Sequence, residues 1–432
     1  MSPIPVIELK GHGLELGRAH GEELRDQIRR FVEVIVDLNV KNIPVPSSRE
    51  DLLGLCGASL SHIERYSPEL LAEMKGIAQG AGVDFQEVLL LNCFLELNDL
   101  RAPMLSQKLT SRRSFACTTF NLKKRATKDR APRLGQTYDM ELLFADYTVV
   151  LKISTPGRPS RTVFSLAGVL GLNGVNSQGI SLVINKLVPT DSRPGVIYPV
   201  LVRQALDQVR IGDALAALAF APRASGLCYQ LSGPDGVAFC LETTAARFEL
   251  LPFQGFIAHA NHYLSPALKP LEADWLTHGG SYARLEAADN FLADNFGDLD
   301  DEALKSLCRN HINHPRGICA HYYEDEEEHE KMATIAAVVI NPQKASMLLC
   351  GCFPCRSEFQ EISQELTFDP SVDPGLRSSS ARSSSSFPSP SPTSSPTSAS
   401  ASTSAPPQST EPGPGEEDFF AKTFLEARKN KK

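Results

Sequence analysis

The stretch Ser114-Phe115-Ala116-Cys117-Thr118-Thr119-Phe120 divides the 432-residue chain into two parts of different periodicity. Before it, one short strand at Ile4–Leu9 precedes apolar residues that recur at helical spacing through Glu22–Leu38, Ser48–Ser61, Pro68–Ala81 and Phe85–Leu97. Ser67-Pro68-Glu69-Leu70 has the form of a helix start, with Pro68 at the first helical position, where its missing N–H costs nothing. From Phe115 onward, alternating or continuous apolar runs predict strands at Cys117–Leu122, Thr148–Ser154, Thr162–Leu166, Ile180–Val183, Leu227–Ser232, Val237–Thr243, Phe256–Ala260, Ala333–Ile340 and Met347–Cys350. Helical stretches at Ile197–Phe220, Gly280–Asn295 and Asp300–Asn310 lie among them. A helical first part followed by a strand-rich second part with few crossover helices predicts an α+β fold, with helices packed on largely antiparallel sheets.

The composition sets outer limits. Asp and Glu number 51 against 43 Lys and Arg, a net charge of −8 that gives no electrostatic footprint for nucleic acid or an anionic membrane. The first residues, Met1-Ser2-Pro3-Ile4-Pro5, lack a basic segment followed by a sustained apolar one, and no run reaches the roughly 18 uncharged apolar residues of a membrane span. A soluble, cytoplasmic chain with reduced thiols is therefore expected, since ten irregularly spaced cysteines do not resemble a disulfide framework. Near Pro374 the composition changes: from Arg377 to about Gly415 Phe387 is the only large apolar residue among Ser, Pro, Thr and Ala. Such a segment buries too little to offset the entropy of ordering it, so 371–432 reads as a disordered tail. Its end, with Phe419, Phe420, Phe424 and Leu425 among mixed charges, reads as a solubilising terminus with at most a turn or two of amphipathic helix.

Four groups of residues invite a chemical reading. Gly11-His12-Gly13-Leu14-Glu15-Leu16-Gly17 follows a strand, yet its spacing is not that of a dinucleotide-binding loop; a turn closing onto a helix accounts for the glycines, and His12 and His20 read as structural. Cys350, Cys352 and Cys355 lie within six residues, but a structural zinc site needs four ligands and no second closely spaced Cys or His pair is nearby, so buried thiols at a strand end are favoured over metal or redox chemistry. His311, His314 and His321 near Cys319 form a looser cluster running into the acidic stretch Glu324–Glu328, which reads as a solvated face. Cys117 stands at the helix-to-sheet junction with a small residue before it and hydroxyls after it. An isolated cysteine is usually core packing; what raises this one is the sequence downstream.

In order after Cys117 come Gly135-Gln136-Thr137-Tyr138-Asp139, then Gly171-Leu172-Asn173-Gly174-Val175-Asn176-Ser177-Gln178-Gly179-Ile180, then Ala258-His259-Ala260-Asn261-His262-Tyr263. This ordered set resembles the acyl-coenzyme A:6-aminopenicillanic acid acyltransferase family of cysteine N-terminal-nucleophile hydrolases, over roughly Ile4 to Glu365. The resemblance implies a four-layer αββα sandwich and an inactive precursor that cuts itself at Ala116–Cys117, leaving two associated fragments. It implies an α-part at 1–116, a β-part at 117–370 beginning at the nucleophile, and the tail at 371–432. Ala116 occupies a position where the family usually has Gly.

The implied residue types suit the chemistry. A thiolate is the reactive form of cysteine, and a free α-amine, with a pKa of about 7.7–8.0, can take the thiol proton without a histidine. While Cys117 sits inside a peptide bond its nitrogen is an amide and no base, so cleavage must come first. By resemblance, Asn261 helps hold the tetrahedral oxyanion, and Asp139 orients the amine or assists self-cleavage. Thr119 would line the strand face carrying the thiol. Fungal acyltransferase members carry Ser-Arg before Gly-Ala-Thr; here Glu330-Lys331 precedes Met332-Ala333-Thr334, and Lys331 keeps the charge for a substrate carboxylate without the planar fork. His259 and His262 read as structural. The expected enzyme forms an acyl group on Cys117 and passes it to water or an amine, from an amide or thioester. Acyl-coenzyme A is a possible substrate, and no cofactor or metal is expected. The alternative is a non-catalytic binding protein on the same fold, its tail recruiting partners.

Overall fold

The computed structural model describes residues 3–40, 48–101, 116–273 and 279–364, all within the compact unit Met1–Leu376. The tail expected at 371–432 lies outside the described residues. So does Ser114-Phe115, the start of the dividing stretch.

Among the described residues, seven helices make up most of the first part: α1 (Gly13–Glu23), α2 (Arg25–Val40), α3 (Arg49–Gly57), α4 (Leu60–Tyr66), α5 (Pro68–Ala81), α6 (Phe85–Asn92) and α7 (Glu96–Arg101), after strand β1 (Val6–Lys10). Helix α5 starts and stops where the sequence predicts: Ser67 accepts a bond from the Leu70 N–H, Pro68 occupies the first turn, and Gly82 at φ 66° ends the helix. The glycine-rich start departs from the expectation of a turn alone. Gly11 and Gly13 do turn the chain, at φ 120° and 42°, but Gly17 lies inside α1 against α5. A Cβ there would come within 1.9 Å of the Glu73 carbonyl oxygen, and one on Gly80 within 2.2 Å of the Arg18 carbonyl oxygen. The spacing that suggested a ligand loop is instead a close helix–helix contact.

The second part contributes β2 (Thr118–Leu122), β3 (Arg133–Glu141), β4 (Thr148–Ser154), β5 (Arg161–Leu166), β6 (Asn173–Asn176), β7 (Ser181–Leu187), α8 (Tyr198–Leu206), α9 (Ile211–Ala219), β8 (Gly226–Ser232), β9 (Ala238–Thr243), β10 (Phe248–Leu251), β11 (Phe256–His259), α10 (Gly279–Asp294), α11 (Asp301–Cys308), β12 (Met332–Asn341), β13 (Ser346–Cys350) and β14 (Gln360–Ser363). The helix expected over Ile197–Phe220 is two helices, broken between Leu206 and Ile211. Strands β3, β6, β10 and β14 were not foreseen.

Two sheets result. The first runs β1-β4-β5-β6-β7-β8-β9-β10, antiparallel except for the parallel pair β1/β4; the second runs β11-β2-β3-β12-β13-β14 and is antiparallel throughout. They stack face to face. Tyr138 of β3 meets Phe164 of β5 with ring centroids 5.4 Å apart, and Asn121 of β2 donates to the Leu231 carbonyl of β8. Helices α8 and α9 cover the first sheet, with α5 tied to α8 by the buried Glu73–Arg203 pair at 2.7 and 2.9 Å. Helices α10 and α11 cover the second through Ala288, Leu292, Leu304 and Leu307, packed on Phe120, Ala258 and Val339. The fold is thus an α+β four-layer αββα sandwich.

Candidate active site

Cys117 immediately precedes β2, an interior strand of the six-stranded sheet, and it is buried with 6% of its surface exposed. Its backbone is held from three elements. The Cys117 N–H donates to Asn261 Oδ1 at 2.8 Å. Its carbonyl accepts from Arg284 Nη1 of α10 at 2.6 Å and from Asn185 Nδ2 of β7 at 3.0 Å. Arg284 also donates to Asn261 Oδ1 at 3.0 Å and to Thr118 Oγ1 at 3.1 Å. Asn261 Nδ2 donates to the Lys186 carbonyl at 3.0 Å. With two donors aimed at one end of the amide and a carbonyl at the other, only one orientation of Asn261 satisfies every bond. Asn261 therefore grips the nitrogen of Cys117 with its oxygen.

Asp139 lies on β3, opposite Thr334 of β12. Thr334 Oγ1 donates to its Oδ1 at 2.5 Å, while Oδ2 has no hydrogen-bond partner among the described residues. Burial raises this carboxyl from 3.8 to about 7, against the opposing pull of Arg284 and the Thr334 bond. The Cys117 thiol is pushed up to about 12, first by burial and then by the Asp139 charge, only partly offset by a bond from the Asp139 backbone, by Arg284 and by Gln136. Burial and the neighbouring carboxyl thus hold Cys117 as the neutral thiol in the intact chain.

The other residues singled out from the sequence fall at different distances from this cluster. Ala116 donates a long bond of 3.5 Å from its N–H to the Asp139 carbonyl. Thr119 is fully buried, donating to Asn185 Oδ1 and accepting from Gln230 Nε2 at 2.7 Å, so its hydroxyl is one bond removed from the group that holds the Cys117 carbonyl. Lys331 lies just before β12, ion-paired with Glu328 and 4.9 Å from the Tyr322 ring centroid; the structure brings its ammonium to those partners and not to Cys117. His259 bridges Glu242 and the Ala260 carbonyl, both at 2.8 Å, and His262 pairs with Ser281 at 2.8 Å; both rings are used structurally. Sequence reasoning missed Arg284, Asn185 and Gln136. Gln136 stood inside the quoted Gly-Gln-x-x-Asp motif, but Arg284 and Asn185 sit in segments with no such signal.

Cys350 and Cys352 are buried in separate apolar clusters, as a strand-end reading expects. Cys355 departs from it: its thiol lies with Cys319, His311 and His321, their ligand atoms all within 4.8 Å of one another. Most of the acidic run is exposed, but Glu326 is buried, paired with Arg316.

A layered α+β enzyme fold with a cysteine, an asparagine and a carboxylate converging at the sheet interface defines a class, and comparison with known proteins gives the family. The model of the acyl-coenzyme A:6-aminopenicillanic acid acyl-transferase family matches residues 125–351, and the chain belongs to that family. It is accordingly an acyl-transferring enzyme that acts on amide or thioester bonds. The matched span includes Asp139, Asn261 and Lys331 and begins after Cys117. The chain is 26% identical over 329 residues, 74% of its length and 85% of the relative's, to the acyl-coenzyme A:6-aminopenicillanic-acid-acyltransferase 40 kDa form of Emericella nidulans. Among solved structures it is similar to a conjugated bile acid hydrolase from Clostridium perfringens (TM-score 0.38, 11% identity, covering 57% of this chain and 92% of that one). It is also similar to penicillin V acylase from Agrobacterium tumefaciens (TM-score 0.38, 13% identity, covering 58% and 88%). No helix among the described residues is long and apolar enough to cross a membrane.

Proposed function

We propose that this chain is a self-processing cysteine N-terminal-nucleophile enzyme with Cys117 as its nucleophile. The observation that carries the reading is the grip on Cys117 nitrogen by Asn261 Oδ1, with Arg284 and Asn185 fixing the adjoining carbonyl. A side-chain oxygen is a good acceptor for an amide N–H now and for an amine N–H after cleavage, so one arrangement serves both states.

In the precursor, the Cys117 sulfur attacks the Ala116 carbonyl carbon and the peptide C–N bond breaks. The thiol proton passes to the departing nitrogen with the help of the Asp139 carboxylate. Water then hydrolyses the resulting thioester, releasing the Ala116 carboxylate and the free thiol. The new α-amine of Cys117 is a base of the right strength beside that thiol, and protonated it is a cation that favours the thiolate. Turnover follows: the thiolate takes an acyl group from an amide or a thioester such as acyl-coenzyme A, and water or an amine accepts it. Asn261 and Arg284 would contribute to holding the tetrahedral oxyanion, an interaction typically worth about 2.7–4 kcal/mol per donor. Thr119 and Lys331 remain proposed substrate contacts, and the proposed partners are small-molecule acyl donors and acceptors. Ten free cysteines fit a reducing, cytoplasmic setting.

Intact mass and a denaturing gel of the purified chain test the proposal. The expected result is a fragment beginning at Cys117, absent in Cys117→Ala, and an acyl adduct on that residue after incubation with mixed acyl donors. A chain that stays whole through long incubation, or full turnover by Cys117→Ala, would overturn it.

A further inference from the structure

We propose that His311, Cys319, His321 and Cys355 bind a structural zinc ion. The four residues come from two loops separated in sequence, and their distances carry the argument. His321 Nε2 lies 3.2 Å from His311 Nε2, 3.6 Å from Cys319 Sγ and 3.5 Å from Cys355 Sγ. A tetrahedral ion with Zn–N near 2.0–2.1 Å and Zn–S near 2.3 Å requires N···N edges of about 3.3–3.4 Å and N···S edges of about 3.5–3.6 Å. The three edges that meet at His321 match these values to within about 0.2 Å, and all four ligand atoms lie within 4.8 Å of one another.

Hydrogen bonding alone accounts poorly for this convergence. Two imidazole nitrogens meet tip to tip with two sulfurs around them, so at least some of these contacts join two acceptors or weak donors. A cation with two thiolates and two neutral imidazoles gives a net-neutral centre, which suits a site with Cys319 and His321 buried. His321 is further held by stacking on Phe353, with centroids 4.9 Å apart.

The backbone around the site is a clip. The Cys319 N–H bonds the Asn310 carbonyl and the His321 N–H the Pro315 carbonyl, folding His311 back toward the other two. Between the two ligands, Ala320 exchanges bonds with Thr334: its N–H donates to Thr334 Oγ1 at 2.8 Å and its carbonyl accepts from the Thr334 N–H at 3.1 Å. The Phe353 N–H, in the loop that supplies Cys355, bonds the Thr334 carbonyl at 2.9 Å. Both loops therefore anchor on Thr334, whose hydroxyl donates to Asp139. The ion would fix the loops that position Thr334, and through it the carboxyl beside Cys117, while taking no part in the chemistry.

The test measures metal in the full chain purified under reducing conditions from zinc-supplemented cells. Elemental analysis and native mass spectrometry are expected to find one zinc per chain, retained in Cys117→Ser and Cys350→Ser. Cys355→Ser is expected to bind at least about tenfold more weakly. Cobalt exchanged into the wild-type chain should show thiolate-to-metal charge transfer and the intense visible bands of a tetrahedral site. Those bands should weaken in His311→Ala, a change in an exposed side chain chosen in case Cys355→Ser fails to fold. Substoichiometric zinc with both thiols open to alkylation, a Cys319–Cys355 disulfide in the intact mass, or zinc retained equally by Cys355→Ser would each overturn the proposal. None of these readouts depends on whether the chain cuts itself.

Discussion

Asp139 is the residue at which the proposed chemistry and stability oppose each other. Its carboxyl is raised from 3.8 to about 7 by burial, so the folded chain binds this proton more tightly than the unfolded one. The resulting stabilisation is fully present below about pH 3.8 and is lost as the pH rises through about 7, where the folded chain must hold a buried charge; a shift of this size corresponds to on the order of 4 kcal/mol. On a Cys117→Ala background, where neither chain can be cut, Asp139→Asn is expected to gain stability relative to Asp139 as the pH goes from 4 to 8, measured by urea denaturation. In the chain with its cysteine intact, the same substitution should slow the appearance of the cut fragment by at least about tenfold. A parallel loss of stability at all pH values would mean that Asp139 is only a packing group. Motif order made Cys117, Asp139 and Asn261 legible from sequence, because their types and succession were distinctive. Arg284 was not legible: an arginine on a helix of mixed composition reads as solvent-facing, and only the tertiary fold turns it toward the Cys117 carbonyl.

Among the elements, β3 shows why the sequence reading fell short where it mattered. Arg133-Leu134-Gly135-Gln136-Thr137-Tyr138-Asp139-Met140-Glu141 has few β-branched residues and an interior glycine, so propensity does not mark it as a strand. It forms because β2 and β12 pair with it on both sides, and its polar residues include Asp139 and Gln136 of the candidate site. Helices α1 and α5 give the complementary case, in which a glycine inside a helix means contact. Alanine normally improves a helix over glycine by about 0.8–1.0 kcal/mol, and Gly54→Ala on α3, with open space around it, should raise stability by up to that amount. Gly80→Ala should reverse the sign, because the new methyl would meet the Arg18 carbonyl of α1, and cost about 1–3 kcal/mol in a denaturation experiment. Equal gains at both positions would show that the helices separate easily.

At the scale of the whole molecule, the proposed cut at Ala116–Cys117 would sever one domain without separating two. Residues from α2, α5 and α6 share a single apolar core with β4, β5, β7 and α8, so the pieces on either side of the junction are packed together. They are expected to co-elute in gel filtration after processing and to part only under conditions that unfold both; dissociation in native buffer would contradict the shared core. Periodicity alone gave the α+β class, and the αββα layering came from the motif resemblance. Periodicity distinguished helices from strands, but which strands enter which sheet depends on long-range pairing that local pattern does not encode.

Strand β1 occupies the border of the eight-stranded sheet, laid parallel against β4. It belongs to the piece before the junction, whereas Thr148-Val149-Val150-Leu151-Lys152-Ile153-Ser154 belongs to the piece after it. The earlier piece thus acts as a permanent hem. A later piece made without it would bare an unpaired, β-branched margin ready to recruit other chains. Under the proposed cleavage, synthesis as one precursor would deliver the hem together with the sheet it finishes, a reason for such a precursor that is independent of keeping the proposed nucleophile silent.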